Sequence, residues 1–213
     1  MTSLARLILY CCAAFFLTYL PFINIPLLYL STTFHELSHG IMTLLTGGQI
    51  IEFSLSLNGA GHLVSRGGSS WLIAVAGYAG TPLFGGLLYL VGPKPNLAKF
   101  IISFVALILM VTIVFWLSDL TTLFILTMML SLLGCLLIKR QSRVLTWLIQ
   151  FIGIVVLMNA ITNPLHLIDG HQVGDGAILA RVTGLPEIVW VFAWCGWGCF
   201  ILFKLASLEF NRK

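Results

Sequence analysis

Chemistry concentrates in five consecutive residues, His35-Glu36-Leu37-Ser38-His39, which lie inside an otherwise apolar run. Residues four apart on a helix are offset by only about 40°, so both imidazoles project from one face and can grip a single divalent cation. Zn²⁺ is the ion suited to paired imidazoles of this spacing. Glu36 follows the first histidine, where its carboxylate can take the proton of a water whose pKa the metal has lowered towards 7. A carboxylate and two imidazoles at membrane depth are costly unless paired, hydrated or used. The location therefore argues for a metal site with Glu36 as the catalytic base.

Two histidines leave zinc short of a third protein ligand. The next polar stretch supplies the candidates: Asn163-Pro164-Leu165-His166-Leu167-Ile168-Asp169-Gly170-His171, followed by Gly174-Asp175-Gly176. Asp169 is the first choice, because Pro164 and Gly170 bracket it with helix-breaking residues, and broken backbone at membrane depth is tolerated only against protein or a cavity. Asp175 is the alternative third ligand, although it can equally cap the helical run that follows. His166 and His171 are weaker candidates. Asn163 is placed to hydrogen-bond a ligand or a substrate backbone.

The elements that must hold these residues follow from composition. Of 213 residues, 59% are hydrophobic and only 8% are charged, with a mean hydropathy of +1.05. A soluble domain carries about 25% charged residues. This chain cannot clothe itself in a water-facing surface, which excludes a soluble enzyme or a nucleic-acid partner and points to a lipid bilayer. Apolar runs long enough to span or nearly span it are Leu7 to Leu20, Leu27 to Leu45, Trp71 to Val91, Leu97 to Trp116, Leu120 to Ile138, Val144 to Ile161 and Ile188 to Leu205. The expected fold is an all-α polytopic membrane protein of about seven transmembrane helices, forming a single membrane-embedded domain over residues 1–213.

Two stretches between the runs are not simple loops. In 47–70, Ile51, Phe53, Leu55 and Leu57 alternate with polar residues at the period of a strand, Gly59-Ala60-Gly61 turns the chain, and His62 to Ser65 returns. This predicts a β-hairpin between the second and third spans. The other, 162–187, is expected to be re-entrant or interfacial. The third span carries small residues four apart (Ala76/Gly80, Gly77/Thr81, Thr81/Gly85), a pattern of close helix packing. The five cysteines lie in apolar runs and form no Cys-x-x-Cys pair. With seven spans, Lys94, Lys99, Lys139, Arg140, Arg143, Lys204, Arg212 and Lys213 share one side. The positive-inside rule then places the C-terminus in the cytoplasm.

These features resemble the site-2 protease class of intramembrane zinc metalloproteases, the M50 family. The resemblance rests on His35-Glu36-x-x-His39, Asn163-Pro164 and Ile168-Asp169-Gly170. The runs His35 to Gly48 and Gly174 to Trp190 are more similar to its compact M50B-like branch. It implies zinc held by His35, His39 and a later aspartate, Glu36 as base, and a membrane-protein substrate. Where members of the family often have glycine before the second histidine, this chain has Ser38. Peptide hydrolysis requires that a helical substrate be unwound, and an edge strand offers replacement hydrogen-bond partners. The hairpin is the expected edge, with Phe53 and Leu55 as substrate-binding residues. Two other readings use the same residues: a catalytically inactive M50-like scaffold or binding protein, motivated by Ser38 and the irregular aspartate motif, and a metal or proton transporter with His35, Glu36, His39 and Asp169 as its relay.

Overall fold

The computed structural model describes residues 3–17, 20–138, 143–168 and 173–211. Asp169 and His171 lie outside the described residues, as do Lys139, Arg140, Arg212 and Lys213 of the charge tally. Every long apolar run becomes a helix: α1 (Ser3–Leu17), α2 (Pro21–Leu45), α3 (Ser70–Val91), α4 (Pro95–Trp116), α5 (Leu120–Ile138), α6 (Arg143–Thr162) and α8 (Glu187–Asn211). Between α6 and α8 lie a 3-10 turn (Asn163–Leu167) and the short helix α7 (Asp175–Thr183).

Among the described residues, five of these helices are both long and apolar enough to cross a membrane: α3, α4, α5, α6 with its 3-10 extension, and α8. The expected seven therefore reduce to five by this measure. α1 has only 15 residues, about 22 Å of helix against a hydrocarbon core of about 30 Å. α2 is long enough at 25 residues, but Ser31, Thr32, Thr33 and the His35–His39 motif dilute its apolar character. Large apolar side chains stand exposed around the bundle, including Phe100, Phe104, Val114, Phe115 and Phe203. Such a surface belongs in lipid, and the chain is an integral membrane protein.

α3 is the central packing element, lying against α2 on one side and α6 on the other. A side chain at Gly85 would meet the Gly153 carbonyl at 2.7 Å, and one at Gly153 the Gly85 carbonyl at 2.6 Å. The small residues let the α3 and α6 backbones touch, which is the use predicted for them. α2 runs antiparallel to α3, with Phe34 stacked on Phe84 at 4.6 Å and His39 opposite Ile73. α2 and α6 consequently run parallel, and the chain leaving α6 emerges at the end of the bundle where α2 finishes.

The predicted hairpin forms from β1 (Gln49–Leu55) and β2 (Gly61–Arg66), with a register irregularity between Ile50 and Glu52. α2 holds its turn: Tyr29 donates to the Leu57 carbonyl at 2.9 Å and Thr32 to the Gly59 carbonyl at 2.7 Å. The outer edge of β1 is closed by the start of α5. There the Leu55 amide donates to Thr122 Oγ1 at 2.9 Å, and Ser118 donates to the Phe53 carbonyl at 3.0 Å. Asp119 caps this helix. The Thr122 amide and the Ser118 and Thr122 hydroxyls donate to its carboxyl and pull it down to about 2.

Candidate metal centre

The motif helix brings His35 Nε2 and His39 Nε2 to 3.0 Å from each other. Asp175 Oδ2 lies 3.1 Å from the first and 3.2 Å from the second. These residues form a group whose ligand atoms all lie within 4.8 Å of one another. Asp175 reaches them because it opens α7. The cap position belongs instead to Gly174, whose φ of +95° is a conformation glycine adopts at little cost. Asp175 is thus not the helix cap that the sequence also allowed: it stands in the first turn, and its carboxylate turns to the histidines.

The donor set fits zinc. Nitrogen and oxygen atoms about 2.0–2.1 Å from a tetrahedral ion stand about 3.3 Å apart, close to all three separations here. His39 Nδ1 sits 2.7 Å from the Ile73 carbonyl. A carbonyl can only accept, so Nδ1 carries the hydrogen of the neutral ring and leaves Nε2 as a bare donor to a cation. A bare His39 Nε2 and a carboxylate oxygen 3.2 Å apart repel one another unless a positive charge lies between them.

α3 makes room for this cluster. A Cβ at Gly77 would stand 2.5 Å from His35 Cε1 and 2.5 Å from His39 Nε2, so the imidazoles fill the space that a side chain would take. The sequence places Gly77 in a stripe of small residues without revealing that histidines face it. Ser38 has a similar explanation. Its hydroxyl donates to the Phe34 carbonyl at 2.6 Å, and it packs where Gly80 has no side chain. Tyr78, which sequence reasoning did not single out, lays its ring edge-on to His35, with centroids 4.4 Å apart.

A cleft of about 1160 Å³, open to solvent, runs past His35, Glu36, His39 and Asp175 and is walled by β2 from Gly61 to Ser65. A second lobe of about 930 Å³ shares His35, Glu36, Gly61 and Tyr78 and extends to Asn163 and His166. Glu36 is only 6% exposed and presses against Gly61, where an added Cβ would meet its Oε1 at 3.0 Å. Phe53 and Leu55 require a correction. Both are 1% exposed in the hydrophobic core, and their outer main-chain edge is taken by Ser118 and Thr122. Neither side chain lines the cleft beside the histidines. The strand facing the cleft is β2, which has no partner strand on its other side among the described residues.

Residues 8–205 match the family model described as Peptidase M50B-like. No curated protein and no solved structure matches the chain.

Proposed function

The chain belongs to the M50B-like peptidase family, and on that premise we propose that it is an intramembrane zinc metalloendopeptidase hydrolysing peptide bonds in or near membrane-embedded protein segments. One observation carries the reading: two imidazole nitrogens and one carboxylate oxygen converge beside a buried glutamate, on the wall of an open cleft. His35, His39 and Asp175 would hold the ion. Bound zinc supplies Lewis acidity and makes water a nucleophile at neutral pH.

The protein groups do the rest. Glu36 takes a proton from the attacking water and returns it to the amine as the carbon–nitrogen bond breaks. Its burial against Gly61 restricts it to the motif face of the cleft. A helical substrate hides its carbonyls in its own hydrogen bonds, so a stretch of it must become extended before attack. The outer edge of β2 supports that step, since among the described residues it has no partner strand and its amides and carbonyls can replace those the substrate gives up. Asn163, in the adjoining lobe, is placed to hold a further part of the substrate backbone. The bias of basic residues orients the C-terminus towards the cytoplasm.

Glu36→Gln tests the reading. Purified variant and wild type are compared for zinc content and for cleavage of a panel of single-span segments in proteoliposomes. The variant should keep its zinc and lose at least about 10²–10⁴-fold in turnover, the range for a positioned general base. Undiminished turnover would remove Glu36 from the chemistry.

A further inference from the structure

We propose that Tyr78 is a further catalytic residue, its hydroxyl donating a hydrogen bond to the substrate carbonyl oxygen as that oxygen gains negative charge. The proposal rests on the hydrolase reading above. Tyr78 directly follows Gly77, the residue whose missing side chain admits both imidazoles. Its ring is in contact with two others, His35 at 4.4 Å and Trp194 at 4.8 Å between centroids. A tyrosine fixed in this way keeps its hydroxyl in one place without spending entropy at each turnover. Preorganised donors of this kind contribute most to stabilising a developing oxyanion.

Position supports the role further. Tyr78 lines both lobes of the cleft, as do His35, Glu36 and Gly61, so it stands where the two meet. Among the described residues the hydroxyl makes no hydrogen bond, and a phenol without an internal partner beside a reaction centre is available to a ligand. In the reaction, water oxygen bonds to the carbonyl carbon and the carbon–nitrogen bond breaks. Glu36 carries one proton from water to nitrogen, while Tyr78 keeps its own proton throughout.

The test uses zinc-loaded full-length protein and two probes: a phosphonamidate tripeptide, whose tetrahedral P–O⁻ group imitates the addition intermediate, and the amide tripeptide of the same sequence. Wild type should bind the phosphonamidate more tightly. Tyr78→Phe should lose about 10²–10³-fold of phosphonamidate affinity and of kcat, the loss typical for one oxyanion donor. Affinity for the amide, KM, zinc content and thermal midpoint should stay within twofold or a few degrees of wild type. An unchanged phosphonamidate preference in Tyr78→Phe would overturn the proposal alone. Loss of zinc or of folding in this variant would also overturn it, by making Tyr78 a structural support. A wild type that neither prefers the phosphonamidate nor cleaves any segment would overturn the hydrolase reading, and this proposal with it.

Discussion

Gly77→Ala is the sharpest probe of the metal centre, because the structure sets its consequence through distances. The new methyl carbon would stand 2.5 Å from His39 Nε2 and from His35 Cε1, whereas ordinary carbon contacts begin at about 3.4 Å. One or both imidazoles must therefore retreat by about 0.9 Å, or α2 and α3 must part by a similar amount. Metal–ligand bonds tolerate only about 0.2 Å, so the three donors can no longer share one ion. Overpacking of this kind costs about 1–3 kcal/mol in a core. Disturbing how a ligand is held typically costs 10- to 100-fold in metal affinity, or about 1.4–2.7 kcal/mol. The assay is competition for Zn²⁺ between the detergent-solubilised protein and a chromophoric chelator, beside a thermal melt. Gly134→Ala is the control, since its methyl would have nothing within 4 Å and lies on α5, away from the motif. The expected result is weakened zinc binding in the first variant alone. Wild-type zinc affinity in a folded Gly77→Ala protein would refute the idea that the imidazoles converge against this glycine.

Two further outcomes follow from named contacts. Asp175→Ala should abolish stoichiometric zinc binding and Asp169→Ala should leave it intact, as read by metal analysis of purified protein; the reverse pattern would return the third ligand to Asp169. Thr122→Val keeps side-chain volume but removes the oxygen that receives the buried Leu55 amide. Leaving that donor unsatisfied should cost about 1–3 kcal/mol, a fall of several degrees in the midpoint of thermal unfolding, with zinc content unchanged. An unaltered midpoint would mean that the α5 contact does not secure β1.

Those experiments divide between what is encoded locally and what is not. The pairing of His35 with His39 was legible because helical geometry alone puts residues four apart on one face. The hairpin was legible because Ile51, Phe53, Leu55 and Leu57 alternate with polar neighbours, and the helices because apolar runs in lipid have no other way to satisfy their backbones. The role of Phe53 and Leu55 was misread for a related reason. Alternation says that a strand has an apolar face, and it is silent on whether core or substrate covers that face.

The chain by itself thus determined the elements, the motif and the kind of metal such a motif suits. Tertiary structure brought Asp175 to the histidines, left β2 with an open edge among the described residues, and set both imidazoles against Gly77. Each of these is a relation between segments far apart in the chain. Asp169 and Asp175 are nearly equivalent as sequence, both polar residues next to a glycine in a broken stretch. The packing of α7 against α3 and α8, with Gly174 at positive φ at its head, aims Asp175 at the imidazoles. Local periodicity fixes the direction of a side chain relative to its own helix or strand, and what stands opposite depends on how distant helices close around it.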